Sequence, residues 1–177
     1  VIECDCILSA IGRIPNVQGL GLDKIGIAQA ENGQIKVDEH DRTTIPHIFA
    51  LGDVTNKMQL TPIAIAQGQK LAERLFSGDP EREVCYDNVA TAVFSQPPIA
   101  TVGCSEAEAR DLGYDIEVYK TKFRSMKFIL AERDEKTFMK LVVCKSTDKV
   151  LGVHMIGLDA PEIMQGFAVA LNAGATK

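Results

Sequence analysis

The chain has 177 residues, 46% of them hydrophobic, with mean hydropathy near zero, a composition that supports a folded core and excludes a disordered polymer. Its formal charge of -5 and pI near 5.2 argue against nucleic acid or an anionic membrane as the main partner, since either would select a concentrated basic surface. No apolar run approaches the about 18 residues a membrane-spanning helix needs, and no signal-peptide pattern opens the sequence.

Residues 2–11 alternate and then run apolar, predicting a buried strand that ends at Gly12-Arg13-Ile14-Pro15-Asn16. Gly12 there either lets backbone approach a ligand or neighbouring strand or simply ends the strand in a turn. Two short β-prone runs, 25–30 and 34–37, flank Glu31-Asn32-Gly33 and predict a small ribbon. A polar connector, 38–46, leads into a strand at 48–51 that ends at Gly52-Asp53. Thr61-Pro62 then predicts a helix through residue 76, with Thr61 as N-cap and Lys70, Glu73 and Arg74 on its solvated face. The polar stretch 81–88 reads as a domain boundary.

Beyond it, short strands are expected at 91–95 and 99–102. Ser105-Glu106-Ala107-Glu108 predicts a capped short helix closed by Gly113. Strands at 115–123, 138–144 and 150–156 and a helix at 160–171, followed by Gly174, complete an α+β pattern. The five cysteines, Cys4, Cys6, Cys85, Cys104 and Cys144, show neither zinc-ligand spacing nor a disulfide framework. They point to a reducing, cytoplasmic setting, with an organelle left open, and Cys4 and Cys6 are read as buried structural thiols. His154 lies in an apolar strand and is read as structural, while His40 and His47 are read as surface residues of the connector.

The chemistry concentrates at residues 48–76. A carboxylate, Asp53, follows a glycine, and the helix start at Thr61 offers backbone N–H groups and partial positive charge. Such a pair suits a ligand with both hydroxyls and an edge that gathers negative charge, as the N1–C2=O edge of a reduced flavin does.

Ile48-Phe-Ala-Leu-Gly-Asp-Val54 followed by Leu60-Thr-Pro-Ile-Ala-Ile65 resembles the second flavin-binding segment of the FAD-dependent pyridine nucleotide-disulfide oxidoreductases. Ala10-Ile-Gly-Arg-Ile-Pro-Asn16 is similar to the end of their NADPH domain. Val93-Phe-Ser-Gln-Pro-Pro-Ile99, Thr101-Val-Gly103, Gly152-Val-His-Met-Ile-Gly157 and Glu162-Ile-Met-Gln-Gly166 resemble their interface domain. The resemblance implies an α/β plus α+β architecture: residues 1–12 ending an NADPH-binding domain, 13–86 completing an FAD-binding domain, and 87–177 forming an α+β interface domain with an antiparallel sheet. It implies FAD and NADPH as cofactors, a homodimer through 87–177, and a low-molecular-weight disulfide as substrate.

Carried over by position, Gly52 and Asp53 would meet FAD, with Asp53 on the ribityl hydroxyls. Thr61 and Pro62 would place the helix start at the flavin O2 edge, Leu60 would lie near the nicotinamide, and Gly12 would approach NADPH. Leu60-Thr-Pro62 favours a substrate of the glutathione or trypanothione kind over dihydrolipoamide. Gln69 stands where many glutathione-reducing members carry an Arg near the substrate carboxylates, which keeps trypanothione, another small disulfide or mercuric ion in play. The redox CxxxxC pair, the GxGxxG signatures and the His-Pro…Glu proton-handling pair that the resemblance implies do not occur in these 177 residues. The resemblance therefore implies a catalytically inactive fragment of a longer enzyme, or a non-catalytic dimerisation module.

Overall fold

The structure is a computed structural model describing residues 1–177. It divides into two compact units, Val1–Cys85 and Tyr86–Lys177. No helix is long and apolar enough to cross a membrane.

The first unit has one long helix, α1, Thr61–Phe76, and is otherwise turns and single bridges. The expected strand at 2–11 does not form, and residues 1–14 are all exposed, Cys4 and Cys6 included. Alternating apolarity can favour an extended chain, but a strand exists only when its N–H and C=O groups pair with a neighbour, and none of these residues does so within the chain. The same reason reduces 48–51 from a strand to one bridge, Phe49 with Arg42. The ribbon at 25–37 is present in miniature: Gln29 pairs with Ile35, and Gly33 N–H donates to Ala30 O at 2.9 Å. Gly33, at φ 84°, takes the left-handed position. Leu22, Ile27, Ile35 and Ala50 form the buried core here, with Val17, Val37, Ile45, Ile48 and Val54 against it.

Helix α1 spans the residues its pattern predicts, but its N-cap is Leu60, not Thr61. Ala64 N–H donates to Leu60 O at 3.0 Å, so the helix begins one residue earlier than expected. Pro62, which lacks an N–H, costs nothing in that first turn because its donor would have been unpaired anyway. Ser77 and Gly78, the latter at φ 76°, end the helix.

The second unit is an α+β fold. Its five strands are β1 Thr91–Val93, β2 Ile99–Gly103, β3 Ile116–Phe123, β4 Thr137–Cys144 and β5 Val150–Ile156. They form one antiparallel sheet ordered β1-β2-β5-β4-β3. Helix α4, Ala160–Asn172, covers one face, burying Ala160, Met164 and Leu171 against Ala100, Val102, Val153 and Met155. Side chains alternate across a strand, so Val142, on the other face, meets Ala109 of α2, Glu106–Asp111. That helix carries the expected capping box: Glu108 N–H donates to Ser105 Oγ and Ser105 N–H to Glu108 Oε2. The sequence reading does not include α3, Met126–Leu130, which at five residues is too short to show a period and is anchored by buried Phe128. Gly103 pairs with Gly152 where β2 meets β5, and a Cβ on Gly152 would stand 2.0 Å from Cys104 O, so only glycine lets the chains meet.

Candidate functional site

Gly52, Asp53 and Val54 make a tight 3₁₀ turn, with Gly52 buried at φ 73° and Asp53 exposed. Gly52 supplies a backbone conformation that costs L-residues energy, and an added Cβ would rest 3.4 Å from Ala64 Cβ on α1. The turn thus lies directly on the helix start. Thr55 hydroxyl and N–H both donate to Gly52 O, and Gln59 Nε2 donates to Asp53 O at 3.3 Å, which folds the loop 53–60 on itself. Its outer wall is a cleft of about 310 Å³ lined by Arg13, Ile14, Pro15, Asn16, Asp53, Val54 and Gln59. The Arg13–Asn16 segment and the Asp53 turn, far apart in sequence, therefore share one cavity, which Gly12 does not line.

Helix α1 has no side-chain cap and no acidic residue in its first turn. Its first N–H groups have no partner within the helix, and the macrodipole adds partial positive charge there. Thr61 and Pro62 are exposed and Leu60 is half-buried, so this end is open to a ligand. An exposed carboxylate able to accept from hydroxyls and an uncapped helix start are the donor and acceptor set a flavin's ribityl chain and its O2 edge require, and the residues present fit that part of the group.

Beneath the turn is a polar cluster that sequence reasoning missed. Gln67, fully buried on α1, accepts from Gly52 N–H at 2.9 Å and donates to Asp41 Oδ1 at 3.3 Å. Asp41, 2% exposed, also accepts from Lys57 Nζ at 2.7 Å and from an Arg74 guanidinium nitrogen at 2.9 Å. Arg74 is 5% exposed in its side chain, so it belongs to the interior and not to the solvated face expected for it. The correction has a physical cause: a long cation buries when a desolvated carboxylate and a carbonyl, here His40 O at 2.6 Å, take its donors. Asp41 is a non-glycine at φ 64° in a turn where Asp38 Oδ1 accepts from His40 and Arg42 N–H, a conformation that no local signal in the sequence announces.

The remaining expected residues lie elsewhere. Gly12 is exposed at φ 146° on the unpaired N-terminal segment, and Gln69 is exposed on α1. His40 is not a free surface residue: its side chain is 18% exposed, with Nδ1 3.3 Å from Glu83 Oε1 but without hydrogen-bonding geometry. His154 is structural as read, its Nε2 3.2 Å from Cys104 O, and burial holds its pKa below the usual value with Lys140 adding to the effect. All five cysteines are free. Burial raises the Cys104 thiol, whereas hydroxyls of Ser146 and Thr147 lower Cys144 to about 7.

Residues 89–177 match the pyridine nucleotide-disulphide oxidoreductase dimerisation domain, and residues 1–68 match the pyridine nucleotide-disulphide oxidoreductase family. The chain is 49% identical over 99% of its length to a glutathione reductase of Burkholderia cepacia, of which it spans 39%. It is 47% identical over 97% of its length to a chloroplastic/mitochondrial glutathione reductase of Pisum sativum and 45% identical over 99% to one of a Nostoc species, spanning 31% and 41% of them. It thus spans less than half the length of these relatives. Two family matches in order and this identity along nearly the whole chain agree with the turn-and-helix site: the chain belongs to the pyridine nucleotide-disulphide oxidoreductases.

Proposed function

We propose that these residues are part of an NADPH-dependent flavoprotein that reduces a low-molecular-weight disulfide, glutathione disulfide first. FAD, when bound, supplies the two-electron relay between the nicotinamide and a cysteine pair. The residues of this chain bind and orient. Asp53 accepts hydrogen bonds from ribityl hydroxyls, Gly52 keeps the turn free of a side chain, and the α1 start at Thr61 and Pro62 meets the flavin edge where negative charge gathers. Leu60 packs towards the nicotinamide and Gly12 towards NADPH.

The observation that supports this best is the exposed Asp53 carboxylate held beside a 16-residue helix with no side-chain cap. The relatives' printed activity, glutathione reductase, agrees with it. The test is the full-length protein carrying this segment, purified and assayed for bound flavin and for oxidation of NADPH and NADH against a panel of disulfides and mercuric ion. Flavin absorbance with NADPH-dependent turnover of glutathione disulfide is the expected result. Absence of flavin overturns the reading. Faster turnover of another disulfide would transfer the assignment to that substrate, a course that exposed, uncharged Gln69 favours.

We also propose that residues 87–177 pair with a second copy. The second unit has hydrophobic clusters of its own, which supports a module able to associate without the first. The 177-residue chain on a sizing column should run as a dimer without a flavin spectrum. A monomer at micromolar concentration removes the pairing.

A further inference from the structure

Gln67 poses a question that stability alone does not answer. It sits one helical turn after Ile63 on the inward face of α1, a position an apolar residue fills without hydrogen-bonding demands. Here an amide fills it, and its orientation is dictated: Gly52 N–H can only donate and the Asp41 carboxylate can only accept, so Oε1 faces the first and Nε2 the second. Asp41 in turn is bound from three sides. Its carboxylate holds Lys57, which follows the turn, and Arg74, which lies two turns further along α1, and its carbonyl accepts from Ala50 N–H at 3.0 Å, just before the turn. The cluster therefore joins the chain entering the turn, the chain leaving it and the helix through one buried amide.

We propose that Gln67 is a positioning residue of the flavin-edge site: through Gly52 N–H it fixes the Asp53 turn against the first turn of α1, with Asp41 setting the amide's orientation. The inference rests on the flavin reading above. Two groups that must contact different parts of one ligand need a fixed separation, and the Gly52 turn has only one buried side chain bonded to its leading N–H. Removing the acceptor strands a buried donor, and the turn would relieve that by swinging outwards with Asp53.

The test compares Gln67→Met, which keeps length and volume and drops both hydrogen bonds, with Gln67→Glu, which keeps an acceptor for Gly52. The Glu carboxylate loses the bond to Asp41 and sets an oxygen against Asp41 Oδ1, a like-charge contact that Lys57 and Arg74, both on Asp41, offset in part. Amide hydrogen exchange is read in the 177-residue chain, and flavin affinity and the visible spectrum in the full-length flavoprotein. Gln67→Met should speed exchange at Gly52 about tenfold or more while amides in the last two turns of α1 stay near native rates. It should also weaken flavin binding about tenfold and shift the visible bands. Gln67→Glu, which keeps only the acceptor for Gly52, should stand between Gln67→Met and the native protein in both. Unchanged Gly52 exchange in Gln67→Met overturns the positioning role, as does acceleration in parallel along all of α1, which would mark a merely stabilising residue. Normal flavin affinity and spectrum in that variant overturn it too, leaving the proposed function standing. A native protein without flavin overturns both.

Discussion

Gly52, Gly152 and His154 show how much a single position decides. Gly52 is held at φ 73°, and Gly52→Ala places an L-residue in the left-handed region, costing about 1–2 kcal/mol in the stability of the first unit, measurable by urea unfolding. Gly152→Ala should cost more, because its Cβ would stand 2.0 Å from a backbone oxygen that cannot rotate away. About 3 kcal/mol or beyond is expected for such overpacking, read as a lowered Tm of the second unit. His154 makes the chain sensitive to mild acid. Its folded pKa lies below the unfolded 6.5, so near pH 6 the unfolded state binds more protons and stability falls as pH drops through that window. Melting from about pH 7.5 to about pH 5.5 should show this loss, and His154→Gln should flatten that part of the slope.

Among the elements, α2 and α1 start in opposite ways, and the contrast has functional meaning. Helix α2 has a complete capping box, worth about 1 kcal/mol, so Ser105→Ala should lower the second unit's unfolding free energy by about that amount in denaturant titration. Helix α1 has no side-chain cap and gains stability instead along its length, through Ile63, Gln67 and Arg74. Its open end is the proposed ligand end. The periodic pattern of apolar residues located both helices, since 3.6-residue spacing is a local property. Whether a helix start is capped by Thr61 or left open at Leu60 depends on which carbonyl Ala64 reaches, and spacing does not show that. Helix α3 escaped because its five residues are too few to show a period and are anchored by Phe128, whose burial only the folded chain decides.

At the scale of the whole molecule, residues 77–83 are exposed at the C-terminal end of the first unit, so brief proteolysis should cut there, as well as in the exposed segment 1–14, and release a folded piece starting near Tyr86, identified by mass spectrometry. Preferential cleavage inside the five-stranded sheet would show that the second unit's clusters do not hold it together. The sequence by itself determined the sheet-forming half almost strand by strand and the span of α1, and Gly52-Asp53 with Thr61-Pro62 is the pair it proposes for a ligand. All of these are written in local signals: alternation, helical period, glycine and proline placement, and the Ser105 box. Tertiary structure alone decided what lies beneath that pair. Asp41 and Arg74 are 33 residues apart in sequence and Gly52 and Gln67 are 15 apart. Charge and polarity in a sequence mark such residues for solvent, and only burial, which makes an unpaired polar group costly, gathers them into one cluster. The same holds in reverse for residues 2–11, whose apolar pattern is that of a strand but whose pairing no local signal can supply.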